Sequence, residues 1–532
     1  MAIKYKLLKA IDVSGMSFLA PVVRLAAREE PARQLREIGR FIVLPVLAFM
    51  LFIWLWSVVA PKHKTKAGEV PTPTVVWDAA GGIWRFHHQE TGKARAYEAV
   101  GHERESALAA ARERLAELES LETEANTQLA AVEGASKRKF EALVGPSKEA
   151  YDQAREAAKI ARRARAEELR ADADAVTDRD AFLHRLVAAE AADEADKLKV
   201  SALKSEYEVA RDTAFPEVKS ARRALTRIAE ERQYLIKKTE LLGSDSREAR
   251  VAEAKARLAE AEAAYRDAPA GADLYKLAAA VLKRKELLAT TESSQYAKPW
   301  TLPRQIVRSL LCVFAGFLLA SCIAIPIGIL CGLSPAFMAA MTPFVALFKP
   351  VSPLVWLPII MIIVGGFMPE PENHWLIRFA DKIPYIKNYK IDPMFLSSAI
   401  TVALCSLWAT LVNTALGVSS VDKDHINVAR VLRLGFFDRL VKIVIPTALP
   451  LIFAGLRISL GVGWMVLVAA EILSTSEGIG KFVNDMYTNG SSQSFAQMFV
   501  VVFIVGFIGM VLDRVMVVFQ RLVSFDTARA SI

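Results

Sequence analysis

Long apolar runs constrain this 532-residue chain more than any other feature of its sequence. A helix needs about 20 apolar residues to cross a bilayer, because hydrocarbon does not tolerate unpaired backbone amides. One such run covers residues 41–60, and five more lie between residues 305 and 521. Residues 101–295 are instead rich in Ala, Glu, Lys, Arg and Leu and hold only short apolar runs. We therefore predict an all-α polytopic membrane protein with six transmembrane helices and an inserted water-soluble helical domain.

The basic residues indicate which loops lie in the cytoplasm. The leader before residue 41 and the loop 419–446 are rich in Lys and Arg, whereas residues 473–496 contain only Lys481 as a base. The positive-inside rule then predicts a bacterial cytoplasmic (inner) membrane protein with both termini in the cytoplasm and residues 61–304 outside. The leader is also too long for a signal-peptide n-region, so we expect the first run to stay in the mature chain. The predicted spans are residues 41–60, 305–333, 338–366, 396–418, 447–472 and 497–521.

The third of these runs departs from the regular pattern. Four prolines interrupt it, and a proline removes a helical hydrogen bond and kinks or breaks the helix. The segment is thus either one broken span or a re-entrant loop, and a re-entrant loop would reverse the side of everything on one flank of it. We expect one broken span. The prolines are Pro343, Pro350, Pro353 and Pro358.

The loop 419–446 contains the most informative motif, which reads NVARVLRLGFFDRLVKIVIPTALP from Asn427. It resembles the cytoplasmic loop of binding-protein-dependent permeases, the membrane subunits of ATP-binding cassette (ABC) importers. The pattern of that family is Glu-Ala-Ala, three residues, Gly, nine residues, Ile, one residue and Leu-Pro, and its spacing is kept in full here. Ala429, Ile443 and Pro446 match the pattern, Ile445 stands for the Leu, and Asn427, Val428 and Arg433 replace the Glu, the first Ala and the Gly.

Three further segments extend the resemblance over most of residues 300–525. KPVSPLVWLP from Lys349, FAGLRISLGVGWMVLVAAEIL from Phe453 and SLLCVFAGFLLA from Ser309 are similar to permeases of the nitrate, sulfonate and taurine branch. NVARVL is most similar to the nitrate, cyanate and bicarbonate members. The resemblance implies a type I ABC importer permease that forms a homodimer, with an ABC ATPase subunit in the cytoplasm and a periplasmic or surface solute-binding protein. The expected solute is a small anion such as nitrate, sulfonate or taurine, whose identity rests largely with the binding protein.

Within the loop, the resemblance implies a short helix that fits a groove on the ATPase. Apolar side chains would contact the groove, Phe436 and Phe437 could fill it, arginines would form its polar rim, and Pro446 would end the loop against the next span. The alternative is an ordinary amphipathic loop helix. The residues expected to couple the permease to the ATPase are Asn427, Val428, Ala429, Arg430, Leu432, Arg433, Phe436, Phe437, Ile443 and Pro446.

No segment predicts catalysis by this chain. EGIGKF at residues 477–482 lacks the spacing and the Ser or Thr of a phosphate-binding loop. His87 and His88 stand alone, without a metal-ligand set around them. We therefore expect a transporter subunit that is not an enzyme and binds no cofactor, with ATP and Mg bound by the partner ATPase. The net charge of +9 resides largely in the leader and in short loops, so it does not indicate nucleic-acid binding.

Ionisable residues inside predicted spans are candidates for the translocation path, because a charge in hydrocarbon is costly. Lys349 and Arg457 could lower the electrostatic barrier for an anion, and Glu471 lies near the outer end of its span. Alternatively, Lys349 snorkels and Arg457 pairs with carbonyls or a carboxylate. Ser352 and Trp356 lie in the proline-broken segment, which either lines a cavity or is a packing kink.

The insert interrupts a loop of the resembled family. VPTPTVVWDAAGGIW before it and KPWTLPRQIVRSLL after it resemble one continuous stretch, so the ends of the insert should lie close together. Leucines at three-, four- and seven-residue steps predict helical coiled-coil packing. Turn signals predict several helices that fold back on themselves, not two unbroken arms. The expected breaks are Gly145-Pro146, Thr177-Asp178, Phe215-Pro216, Gly243-Ser244 and Ala268-Pro269-Ala270-Gly271.

Two functions fit these observations. The first is an importer for a small anion, which the loop motif favours. The second is a non-transport ABC machine that moves its periplasmic coiled coil to act on an envelope partner, which the size of the insert keeps open. The enlarged loop 367–395 could cap the path or contact the binding protein. The predicted domains are a cytoplasmic N-terminal segment (1–40), a first transmembrane helix (41–60), an interfacial segment (61–100), a periplasmic coiled-coil insert (101–297) and a permease transmembrane domain (298–525).

Overall fold

A computed structural model describes most of the chain, and almost all of what it describes is helical. The described residues are 11, 17–27, 29–65, 68–173, 179–211, 216–269, 272–371, 374–383, 389 and 391–523. The helices are α1 (Ala20–Ala26), α2 (Pro31–Ile38), α3 (Leu44–Val59), α4 (Pro73–Glu98), α5 (Gly101–Ala173), α6 (Arg179–Arg211), α7 (Pro216–Leu242), α8 (Arg247–Arg266), α9 (Leu274–Glu292), α10 (Leu302–Leu333), α11 (Pro335–Phe348), α12 (Pro353–Phe367), α13 (Trp375–Asp381), α14 (Pro393–Ser419), α15 (Lys423–Val431), α16 (Phe436–Arg439), α17 (Ile445–Ser474), α18 (Ile479–Asn489) and α19 (Ser492–Val523).

Short irregular elements complete this list. The strands β1 (Lys64–Thr65) and β2 (Gly68–Glu69) pair antiparallel. Single 3-10 turns cover Ser17–Leu19 and Ala60–Lys62, and π-helical turns cover Gly39–Val43 and Leu440–Val444. The chain divides into two compact units. The first, here called the membrane unit, is Met1–His88 with Pro299–Ile532, and the second, the insert unit, is Gln89–Lys298.

The membrane unit contains the apolar helices that the sequence predicts. Among the described residues, five helical runs are long and apolar enough to cross a bilayer, and a sixth is counted if α11 and α12 form one span. The axes of α11 and α12 differ by 99°, so the predicted interruption of the third run is confirmed, as either a broken span or a re-entrant loop. The five runs are Pro31–Val59, Leu302–Leu333, Pro393–Ser419, Phe436–Ser474 and Ser492–Leu522.

The fourth of these runs corrects one prediction. The helix that leads into α17 begins at Phe436 and continues through Pro446, so this proline does not end the loop against the next span. The continuity follows from a π-helical turn at Leu440–Val444, which changes the hydrogen-bond register just before the proline. Pro446 follows this turn directly as the second residue of α17, and it costs the continuous helix one backbone hydrogen bond because proline has no N–H.

The membrane unit is organised around α10, α14 and α17, which pack along one another. In hydrocarbon there is no hydrophobic driving force for the association of apolar helices, so close packing at small residues holds such helices together. Gly316, Gly328 and Gly332 on α10 face α14 so closely that a Cβ atom at any of them would lie within 2.7 Å of an α14 atom. Val313, Val402 and Leu467 are fully buried in the resulting core.

The insert unit is built on α5, which at 73 residues and 1.5 Å per residue is about 110 Å long. Its first part packs against α7, where Arg114 Nε lies 2.9 Å from Glu231, and its last part packs against α6, where Arg165 lies 3.0 Å from Asp193. Such exposed ion pairs contribute little stability, so the buried Leu118 and its apolar neighbours hold the helices together.

The predicted breaks in the insert had different outcomes. The break at Gly145-Pro146 is wrong, because α5 continues through Pro146. Pro146 removes one backbone hydrogen bond, and this loss does not end α5, in which the neighbouring Val144 is buried. Gly243-Ser244 is confirmed as the turn between α7 and α8. Thr177-Asp178, Phe215, Ala270 and Gly271 lie outside the described residues.

Candidate functional site

The loop between α14 and α17 has a defined backbone. The helix α15 ends in a Schellman motif, in which the Leu434 N–H donates to the Ala429 carbonyl at 3.0 Å. Arg433 is the left-handed residue of this motif, with φ +49°. Glycine is the usual residue at such a position because it carries no Cβ. The family pattern has its Gly at residue 433. The left-handed backbone at this position explains why the pattern has a glycine there, and the arginine of this chain is strained in that conformation.

The same loop exposes apolar side chains. Phe437 is 77% exposed and Phe436 is 53% exposed, and their rings meet edge to face with centroids 5.5 Å apart. Val431 and Leu432 are also exposed. We call these four residues the loop face. Of the other predicted coupling residues, Ala429 is buried, Ile443 is half-buried, Asn427, Arg433 and Pro446 are exposed, and the side chains of Val428 and Arg430 lie outside the described residues.

The break between α11 and α12 brings three of the predicted path residues together in sequence and in structure. Lys349 is exposed directly after α11. The Ser352 hydroxyl caps α12 by accepting the Leu354 N–H at 3.3 Å. Trp356 lies one turn further on, with its ring 5.7 Å from that of Phe348.

Arg457 lies away from the break and has an acidic partner. Its guanidinium on α17 makes a two-point contact with Asp513 on α19, in which Nη2 and Oδ2 are 2.9 Å apart. The sequence predicts carbonyls or a carboxylate as alternative partners of Arg457, and the structure identifies Asp513. Asp513 falls inside the predicted span 497–521, and that position is the signal that could have identified it.

Glu471 is buried at the end of α17. It is 1% exposed and accepts hydrogen bonds from the Ser309 hydroxyl at 2.6 Å and from the Gly480 N–H at 3.0 Å. The Gly480 N–H belongs to the first turn of α18, where free amides favour a carboxylate. Glu471 thus ties α17 to α10 and to the start of α18.

Arg308 is a buried charge that sequence reasoning missed. It lies on α10, is 1% exposed, and donates to Asp392 Oδ1 at 2.8 Å, to Ser476 Oγ at 2.7 Å and to the Tyr389 carbonyl at 3.2 Å. It lies inside the predicted span 305–333, so the cost of a charge in a span was the available signal. Through Asp392, Arg308 anchors the end of the enlarged loop 367–395.

Metal-binding geometry is not found in the described part of the chain, where no group of three or more His, Cys, Asp or Glu side chains could hold an ion. His87 instead contacts Thr301, with Nδ1 and Oγ1 2.7 Å apart. The cysteines are unpaired: Cys312 and Cys331 are buried, Cys405 is half-buried and Cys322 is exposed.

These features define a polytopic helical membrane protein, with several apolar spans, buried charged residues that have partners, and an exposed apolar face on a loop between two spans. Residues 324–525 match the family model described as "Binding-protein-dependent transport system inner membrane component". The chain belongs to that family. It is therefore a multi-pass permease subunit of the inner membrane and not an enzyme, and the ATPase of such a system is a separate subunit.

Three curated relatives illustrate the similarity. The nitrate import permease protein NrtB of Synechococcus elongatus is 34% identical over 41% of this chain and 69% of its own length. The bicarbonate transport system permease protein CmpB of the same species is 34% identical over 41% and 68%. The taurine transport system permease protein TauC of Escherichia coli is 33% identical over 38% and 63%. The predicted branch of nitrate, sulfonate and taurine permeases is confirmed.

Proposed function

We propose that this chain imports a small anion of the nitrate, bicarbonate or taurine type, and that the loop face docks the ATPase. The relatives named above support the solute class. The observation that carries the docking is the exposure of Phe436 and Phe437 on a loop between two packed spans. Exposed adjacent aromatic side chains are the residues that protein interfaces use as anchors.

The packing of α14 against α17 supports a mechanical role for this loop. Ser459 Oγ on α17 lies 2.7 Å from the Thr410 hydroxyl and accepts the Thr410 N–H at 3.2 Å on α14. A Cβ on Gly455 would lie 2.8 Å from Asn413. Because the two helices are locked in this way, a displacement of the loop moves α14 and α17 together, and the spans follow the ATPase as one body.

The charges in the spans support an anionic solute. Arg457 is neutralised by Asp513, and Arg308 by Asp392, so neither adds much positive potential. Lys349 has no ion-pair partner among the described residues. It is therefore the strongest candidate for lowering the barrier to an anion.

The orientation, assembly and cofactors are part of the same proposal. Both termini and the loop 419–446 lie in the cytoplasm, where their Lys and Arg residues follow the positive-inside rule, and residues 61–304 lie outside. Two copies of the permease assemble with two ATPase subunits, which bind ATP and Mg, and with a soluble binding protein. This chain itself binds no cofactor.

A second candidate function rests on the insert unit. Transport as such needs no helix of 73 residues, and α5 has that length without a break. In this alternative, ATP hydrolysis moves a periplasmic coiled coil that acts on an envelope partner. Deletion of residues 101–295 separates the two candidates.

The docking proposal is tested by replacing both phenylalanines of the loop face with alanine. Loss of two aromatic anchors should lower solute-stimulated ATP hydrolysis by about tenfold or more in proteoliposomes that contain the whole transporter. The melting temperature of the permease should not change, because both rings are exposed. Tyr487→Ala on α18, which removes an equally exposed aromatic ring elsewhere, is the matched control. Unchanged stimulated hydrolysis in the double variant would remove the docking assignment.

A further inference from the structure

Three aromatic side chains meet at the break between α11 and α12. Phe348 is the last residue of α11, Trp356 lies in the first turn of α12, and Trp408 lies on α14. The Phe348 ring lies 5.7 Å from Trp356 and 6.3 Å from Trp408, and it stacks on the latter at an interplanar angle of 11°. We call these three residues the aromatic cluster.

Both indole N–H groups of the aromatic cluster are without an acceptor among the residues that the structure describes. The Nε1 atoms of Trp356 and Trp408 are buried, and neither has a hydrogen-bond partner in the described part of the chain. Trp464 on α17 shows the ordinary arrangement, because its Nε1 donates to the Val505 carbonyl at 3.1 Å. The aromatic cluster thus holds two buried indole donors without an acceptor among the described residues, whereas the indole of Trp464 has one.

An unpaired donor of this kind indicates a missing acceptor. A tryptophan side chain can donate but cannot accept, so whatever satisfies it must carry lone pairs. Burying a polar group without a partner costs free energy, and hydrocarbon offers no water to replace the partner. The arrangement is thus incomplete without a molecule that accepts hydrogen bonds.

The charges around the aromatic cluster indicate the sign of that molecule. The segments 335–367 and 393–419 contain one charged side chain, Lys349, and no Asp or Glu. A cation would find no counter-charge there, whereas an anion would find an ammonium group next in sequence to Phe348. Two N–H donors and one ammonium group match the oxygens of a small oxyanion.

We propose that the aromatic cluster is an occluded binding site for the transported oxyanion, with Trp356 and Trp408 as its hydrogen-bond donors. The proposal rests on the proposed import function and locates the solute within it. Both nitrogens are shielded in the present arrangement, and the Phe348 ring contacts both indoles. The site opens when α11 and α12 move about residues 349–352, and the oxygens of the anion then accept from the two indoles.

The test removes each N–H and keeps an aromatic ring. Trp356→Phe, Trp408→Phe and the double variant are compared with the wild type in the whole transporter, reconstituted with its ATPase and binding protein. Trp464→Phe is the matched control, since it removes an N–H that has an acceptor. Initial uptake of nitrate, bicarbonate and taurine is measured, together with the melting temperature with and without each of these solutes.

The site predicts a distinct result for each variant. The double variant should take up the solute at least tenfold more slowly than the wild type, and the solute should no longer raise its melting temperature. Without solute, Trp356→Phe and Trp408→Phe should each lower the melting temperature by less than Trp464→Phe does, because all three variants lose ring volume but only Trp464→Phe also loses a hydrogen bond. Trp464→Phe should melt at a lower temperature and keep uptake per folded transporter within twofold.

Two results would overturn the site. One is uptake by the double variant within twofold of the wild type. The other is a solute-free melting temperature that falls as far in either single variant as in Trp464→Phe, which would mean that the indoles already have acceptors. If the wild type takes up none of the three solutes, the proposed function fails by itself. The solute-dependent melting shift, compared between the wild type and the double variant, then still decides the site.

Discussion

Arg433 shows how one residue can carry strain within a recognisable motif. Its φ of +49° places the Cβ of an arginine where glycine is favoured. Arg433→Gly should therefore raise the free energy of unfolding of the loop region by up to about 1 kcal/mol. Arg439→Gly is the control, because Arg439 has an ordinary helical φ of −63° and a glycine there should cost about 1 kcal/mol. Hydrogen exchange of the loop amides in the isolated permease measures both effects.

The same two variants separate strain from function. Arg433 is exposed and is a predicted coupling residue, so its guanidinium could be retained for contact with the ATPase despite the strain. In that case Arg433→Gly stabilises the isolated permease and lowers ATPase stimulation in the complex. Slower amide exchange together with unchanged ATPase stimulation would mean that Arg433 is strained and contributes nothing to the contact with the ATPase. Faster exchange would contradict the strain argument itself.

Charges inside the spans show the limit of what the sequence reveals about single residues. Arg457 and Glu471 could be identified because each is an isolated charge in an apolar run. Their partners could not, because Asp513 is 56 residues from Arg457 and Ser309 is 162 residues from Glu471. Such pairs form only when α17 packs against its neighbours. Arg308 was overlooked although its position inside a span carried the same signal.

At the scale of elements, the contact between α10 and α14 depends on glycine. A Cβ at residue 316 would lie 2.6 Å from the Ala399 carbonyl oxygen and 2.8 Å from Val402. Because backbone cannot move aside cheaply, Gly316→Ala should destabilise the membrane unit by about 1–3 kcal/mol. Gly461→Ala on α17 is the control, since nothing lies within 4 Å of a Cβ there and alanine is the better helix former. Thermal melting of the purified permease compares the two, and equal melting temperatures would contradict the close contact.

The spans were predictable because hydropathy is a local property. The runs at 396–418 and 497–521 lie inside helices that the structure also shows. The sequence predicts a helix break at Pro146 and a loop end at Pro446 that the structure does not show, because proline removes only one backbone N–H and its neighbours decide whether the helix continues. Val144, which lies two residues before Pro146, is buried, and a π-helical turn precedes Pro446. The aromatic cluster could not be predicted from the sequence, because Trp408 is far in sequence from Trp356 and because unpaired donors are visible only in three dimensions.

At the scale of the whole molecule, the question is what the insert unit contributes. The two ends of the insert unit are close together, since Tyr97 Oη lies 2.8 Å from Ser294 Oγ and the Tyr97 and Tyr296 rings are 6.1 Å apart. A short Gly/Ser linker can therefore replace residues 101–295 without stretching the chain, and closing a loop of this kind costs little entropy. The core residues of the membrane unit, Val313 and Val402 among them, lie outside the deleted segment and should still pack.

This deletion separates the two candidate functions. If the chain imports an anion and the insert only recruits or positions a partner, the shortened permease should retain uptake of nitrate, bicarbonate or taurine within a few-fold when supplied with its ATPase and binding protein. If the function is instead to move the insert against an envelope partner, neither form will transport a solute. Only the full-length chain will then show an ATP-dependent effect on the envelope. Melting of the shortened permease near the wild-type temperature is the control that it has folded. A folded, ATPase-stimulating, shortened permease that has lost all uptake shown by the full-length chain would mean that the insert is part of the transport mechanism itself.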